Sequence, residues 1–412
     1  MSVETFASEQ ENITSEFFAR FCGIVFSSLK RRDQRRWARL YIRGLLSIEG
    51  RKTMRGIASL ESEPAVEQSL QQFISQSPWA WISVRRTLAG YLEQAIRPIA
   101  LVAEPLVIPK SGEHSVGVER RFVQKLGRLA NCQQVLGVWL ASEQAAFPID
   151  WRLILPESWT DDPGRRRRAG IPDEEVSLTV EECAAEVVAD IIKVWGLKPR
   201  PVVMDAREID IGRLIFELSA RGVPFVLRVH DSTPVSPSDP RVPMGMGRRI
   251  EAGQLIDALR DVSRIVESRR PVTGGAAAAP HTAVVVTARV HTPFRSATAK
   301  DEPSTLTMLG AWTGPEQRSV AVWLSNITKM PPAALLRIAQ TAERVAWDRA
   351  GVTHRLGLRD FEGRSFRGWH HHVTLVSAAH AFWMLLSGGR DQRLFPVTAM
   401  PAVHGGRTSR TA

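Results

Sequence analysis

The chain has 412 residues, 44% apolar and 24% charged, the balance of a soluble globular protein of two or three domains with room for a sizeable core. Its 54 lysines and arginines against 43 acidic residues give a formal charge of +11, which favours polyanionic partners, nucleic acid first. Cys22, Cys132 and Cys183 are far apart and lack C-x-x-C spacing, which argues against a disulfide framework or structural zinc. The polar opening MSVETFASEQENIT and the lack of a bilayer-length apolar run argue for a cytoplasmic protein with no membrane partner.

From Phe17 to about Ala100 apolar residues such as Trp37, Leu40, Tyr41 and Leu45 recur at helical spacing, which predicts a short multi-helix domain over 1–98. Basic residues fill its gaps: Lys30, Arg31, Arg32, Arg35, Arg36, Arg39 and Arg43, then Arg51, Lys52 and Arg55. Such a run is either a solvated helix face or a contact surface for DNA phosphates.

After Pro98 short β-branched runs at 99–108, 135–141 and 151–156 read as consecutive strands. A helix over 180–195 leads to the buried strand PVVMDA (201–206), a helix over 211–221 and the strand VPFVLRV (223–229), an α/β order. These form the first part of a core, 99–230. Residues 231–304 are rich in Pro, Gly and Ala and read as an insertion, with PVTGGAAAAP (271–280) as a flexible linker and VVVTARV (284–290) as an isolated strand. Strands at 305–312 and 319–326, a proline-opened helix over 331–351 and an apolar helix from Val373 to Leu386 make the second part of the core, 305–390. Residues 391–412 read as a tail without order.

Several longer segments are patterned in a more specific way: PKSGEHSVGVERRF (109–122), NCQ (131–133), RLILPESWTDDPGRRRRAGIP (152–172) and LGLRDFEGRSFRGWHHHVTL (356–375), together with RDQRRWARLYIRGLLS and RKTMRGIA within 32–58. In these the chain resembles the DDE transposases of the insertion-sequence 701 family, over about residues 17 to 390. The resemblance implies a ribonuclease-H-like (retroviral-integrase-like) mixed sheet flanked by helices, with an N-terminal helical DNA-binding domain and an inserted subdomain. It also implies two Mg²⁺ ions clamped by three carboxylates for DNA strand transfer, because two adjacent divalent cations need hard, anionic oxygen ligands.

Carried over position by position, the resemblance puts the first acid at Glu104, in place of the family's aspartate, and the second at Asp205. The third falls on Ala346, with Glu343, one turn earlier on the same face, as the possible substitute and Asp348 pointing elsewhere. Any bound metal would therefore rest on Glu104 and Asp205. An extra methylene moves a carboxylate by roughly 1.5 Å, and displacements of about 1 Å already cost on the order of a hundredfold in rate. The expectation is a transposase-like protein that binds double-stranded DNA, with a homodimer as a further option, and is defective in cleavage. The other readings are an active enzyme using Glu104, Asp205 and Glu343, and a protein-interaction scaffold. The expected DNA-contacting set is Arg31, Arg32, Arg35, Arg36, Arg39, Arg51, Lys52, Lys110, Arg120, Arg165, Arg166, Arg167, Arg168, Arg364, Arg367 and His370, with the arginines of 165–168 read as lying in a loop beside Trp159. The triplet His370, His371 and His372 reads as packing more than as a metal site.

Overall fold

The computed structural model describes residues 3–123, 127–242, 248–270, 279–295, 303–313 and 319–390. Five helices come first: α1 (Val3–Val25), α2 (Arg32–Ser47), α3 (Met54–Ala58), α4 (Val66–Ser75) and α5 (Trp81–Ile96). Four strands follow, β1 (Ala100–Pro109), β2 (Val118–Val123), β3 (Arg128–Ala141) and β4 (Ala146–Ile154), then α6 (Glu157–Thr160), α7 (Pro163–Ala169) and α8 (Val180–Lys193). Next come β5 (Val202–Asp205), α9 (Ile211–Ala220), β6 (Phe225–Val229), β7 (Pro234–Pro237), β8 (Ile250–Glu251), α10 (Ala252–Ala258), β9 (Arg264–Arg270) and β10 (Ala279–Arg295). The chain closes with β11 (Pro303–Thr313), β12 (Ser319–Ser325), α11 (Pro332–Ala339), α12 (Thr341–Ala350) and α13 (Phe366–Arg390).

Local chemistry sets several boundaries. Thr179 and Glu182 cap α8 reciprocally, the hydroxyl accepting from the Glu182 N–H and the carboxylate from the Thr179 N–H, which satisfies two end donors of the helix. Asp162 accepts from the N–H groups of Gly164 and Arg165, Pro163 opens α7, and Gly170 closes it at φ 64°, a conformation that glycine adopts without strain. The arginines of 165–168 thus lie on a short capped helix, not in a loop. The proline-opened helix expected over 331–351 is two helices; the Thr341 hydroxyl donates to the Ile338 carbonyl at 2.6 Å, a side-chain bond that competes with regular helix continuation.

The sheet runs β2–β3–β1–β5–β6–β12–β11–β10–β7–β8, with β4 on β3 and β9 on β10. Within it, β4, β3 and β1 are joined antiparallel, and β1, β5 and β6 are parallel. Three antiparallel strands continued by two parallel ones is the ribonuclease-H-like arrangement, and helices cover both faces. VVVTARV is not isolated: it sits inside β10, which pairs with β11 and β9 and touches β7. Periodicity missed this because the partners are separated from it in sequence. The described strands between residues 231 and 304 therefore extend the same sheet. Residues 271–278 of the expected linker and the tail 391–412 lie outside the described residues.

Helix α13 is the centre around which the N-terminal helices and β4 pack. Every side chain from Trp369 to Phe382 is buried, and the helix packs against α1, α2, α4, α5 and β4. A helix apolar on all sides belongs inside, so the C-terminal helix joins the N-terminal helices to the sheet. Among the described residues no helix is long and apolar enough to cross a membrane.

Candidate functional site

The β1–β5 register pairs Ala103 with Met204, so the next residues, Glu104 and Asp205, stand side by side about one strand spacing apart, ~4.8 Å. On β3 the residue opposite Glu104 is Gly137, and on β6 the residue opposite Asp205 is Arg228. Directly paired residues share a face, and that face is covered by α12, which packs on β1 and β5. Gly137 leaves room for the ring of Trp151 on the neighbouring strand: a Cβ there would meet Cζ3 of Trp151 at 2.6 Å. Gly137→Ala is therefore expected to cost about 1–3 kcal/mol through overpacking, read from urea unfolding; an unchanged midpoint would mean that the Trp151 ring moves aside.

Each acid is held by an arginine. Arg349 of α12 lies with Nε 3.1 Å from Glu104, and both side chains are largely buried. Arg207 forms a fork on Asp205, with Nε 2.9 Å and Nη2 2.6 Å from the two carboxylate oxygens. Burial works to raise the Asp205 carboxyl, but the paired Arg207, seconded by Arg228, holds it below the ordinary value. None of these arginines stood out in the sequence, because one belongs to the adjacent strand and another to a helix more than 240 residues away.

Ala346 is exposed and lies one turn before Arg349 on nearly the same side of α12. Glu343 is six residues before Arg349, about 9 Å along the axis and on a different face. Asp348 is buried, bound to Arg344 at 2.7 Å and accepting the Ala146 N–H at 2.8 Å, so it fastens α12 to β4.

Two adjacent divalent ions need several anionic oxygens. Here two carboxylates face three guanidiniums, those of Arg207, Arg228 and Arg349, and the donor set does not fit a two-metal centre. Among the described residues no group of three or more His, Cys, Asp or Glu could hold a metal ion.

The expected DNA-contacting residues separate by burial. On α2, Arg32, Arg36, Arg39 and Arg43 follow helical spacing along one face and, with Arg35, Leu40 and Glu61, line a cleft of about 500 Å³. Arg36 also pairs with Glu63 at 2.7 Å and lies over the Trp37 ring. Arg31, Arg120, Arg165, Arg167, Arg168, Arg364 and Arg367 are exposed, with Arg31 paired to Asp33, Arg51 to Glu362 and Arg165 over the Trp159 ring. His370 and Lys52 are buried, at 4% and 6% exposure, and leave the set. Arg166 leaves it as well, since its guanidinium donates to the carbonyls of Thr160, Pro172, Asp173 and Glu175. Lys110 donates to the carbonyls of Arg359 and Phe361, and burial pulls its amine down to about 8.

The three histidines point three ways, as successive helical residues must. His370 stacks on Trp81 and meets Arg85, His371 stacks on Trp79 between the carbonyls of Ile74 and Trp79, and His372 contacts the Tyr41 hydroxyl and the Gly357 carbonyl.

The sheet is ribonuclease-H-like, with acids at adjacent positions of its first and next parallel strands. The family of DDE superfamily endonucleases matches residues 25–286, and the chain belongs to it. No curated protein matches. Among solved structures, the chain is similar to a piggyBac transposase synaptic complex with hairpin DNA, at 11% identity and a TM-score of 0.35, over 95% of this chain and 84% of that one.

Proposed function

We propose that this is a transposase-like, double-stranded-DNA-binding protein of the insertion-sequence 701 type that has lost strand cleavage and transfer, and that it works in the cytoplasm. The observation that carries this reading is the pairing of both remaining acids with arginines, with an alanine where a third acid would stand. DNA contact is assigned to the arginine face of α2 and to the exposed arginines of α7, Arg364 and Arg367, since a row of guanidiniums matches phosphates at little geometric cost. The cytoplasmic assignment rests on three free, buried cysteines.

With terminal-repeat DNA and Mg²⁺ or Mn²⁺, the protein is expected to give no cleaved or joined product. Robust joining that Asp205→Ala abolishes would establish the active enzyme instead. In a shift assay, replacing Arg32, Arg36, Arg39 and Arg43 together by glutamine is expected to weaken duplex binding and flatten its salt dependence by roughly 0.9 for each phosphate no longer neutralised. Absence of duplex affinity in the unaltered protein would favour a protein-interaction scaffold.

A further inference from the structure

Two carboxylates placed one strand spacing apart repel each other, and in a two-metal site the metal ions remove that repulsion. In this chain guanidiniums do so. Arg349 faces Glu104, Arg207 grips Asp205, and Arg228 stands opposite Asp205 on β6. These three guanidiniums and two carboxylates sum to one unit positive, the complement of a single phosphodiester.

Resting on the cleavage-deficient reading above, we propose that the Glu104–Arg349 and Asp205–Arg207 pairs, with Arg228, form a metal-independent site for a DNA backbone phosphate, which holds the strand and leaves it uncut. Access is open on one side: the side chains of Asp205 and Arg207 are 42% and 38% exposed, and Ala346 lies exposed one turn from Arg349. The donors have the right form. A guanidinium has five N–H groups in a planar fork, and Arg207 directs only Nε and Nη2 at Asp205. The carboxylates act as positioning groups that aim the arginines. Ala346 contributes by what it lacks: a carboxylate there would repel a phosphate oxygen that no metal ion shields.

The test compares duplex binding by the full chain and by the Arg207→Gln/Arg349→Gln double variant, with and without EDTA, across a salt series. The unaltered protein is expected to bind equally well with EDTA. The double variant is expected to bind about tenfold more weakly, with a salt slope lowered by roughly 0.9 for each phosphate that the arginines no longer neutralise. Equal affinity and slope in the two proteins, or loss of unaltered binding on adding EDTA, would overturn the site. Should the glutamine variant not fold by circular dichroism, the Arg207→Lys/Arg349→Lys variant replaces it: it keeps the charges but loses the fork, so weaker binding at a similar slope supports the site, and unchanged affinity overturns it. DNA joining by the unaltered protein would defeat the cleavage-deficient reading itself, a result distinct from a variant that binds normally.

Discussion

Arg85→Met is expected to lower the unfolding free energy by about 3 kcal/mol, the low end of the cost of removing one partner of a buried ion pair, because Arg152 still compensates Asp150 in part. Arg85 is fully buried in α5. Its guanidinium donates to Asp150 on β4 at 2.5 Å, to the Trp151 carbonyl at 2.8 Å, and to the Thr374 hydroxyl and His370 carbonyl on α13 at 2.7 and 3.1 Å. One side chain thus ties an N-terminal helix, a sheet strand and the C-terminal helix together. Burial pulls the guanidinium down to about 10, against the opposing pull of Asp150, so it stays charged at neutral pH. After the substitution Asp150 keeps Arg152 at 3.1 Å, while the carbonyls of Trp151 and His370 are each deprived of a donor. Adding Asp150→Asn removes the desolvation cost of a buried carboxylate that Arg152 alone offsets only in part, and the double variant is expected to recover part of the stability. Urea unfolding followed by circular dichroism gives the measurement; a loss below about 1 kcal/mol would mean that Arg85 holds nothing that the neighbouring packing does not.

Glu104 and Asp205 were singled out by the family resemblance; only the fact that each interrupts or ends an apolar strand is written locally in the burial pattern. Their side-by-side placement needed the β1–β5 register, which depends on residues a hundred positions apart. What neutralises them was not legible, because an arginine two residues past Asp205, another on a neighbouring strand and a third on α12 look like ordinary basic residues until the sheet forms. The same limit applies to the arginine-rich segments. Of the run 165–168, Arg166 turns inward to four carbonyls while its neighbours face outward, a division that only the helical turn of α7 creates. His370 reads as a phosphate ligand because it follows two exposed arginines; in the structure it belongs to the buried stretch of α13. The sequence shows the long helix α13 only as an apolar tail to the core, since nothing in its composition says that the N-terminal helices wrap it.

Buried histidines on α13 are expected to make the fold acid-labile, with unfolding between about pH 6.5 and 4. Burial depresses His371 and His372 to about 4 and His380 to about 3, and lowers His370 well below its ordinary value of 6.5. The folded protein keeps these rings neutral while the unfolded chain protonates them below pH 6.5. Unfolding therefore takes up protons, and stability falls as pH drops toward the folded values. At 1.36 kcal/mol per unit, His371, His372 and His380 each contribute on the order of 3–5 kcal/mol by pH 4 or below, together comparable with the ~5–15 kcal/mol stability of a domain. The depressed carboxyls of Asp205 and Asp239 lose their contribution only below the ordinary carboxylate range. Asp348 and Glu175, raised by burial, act with the opposite sign, gaining stability as pH falls, and offset part of the loss. The window above pH 4.5 thus belongs to the histidines. His380 is the cleanest probe, since Trp139, Phe147 and Trp383 surround it and phenylalanine fills similar space. His380→Phe is expected to shift the acid midpoint down and reduce the slope of stability against pH by about one proton. An identical slope in the two proteins would remove the histidines as the origin of the acid limb.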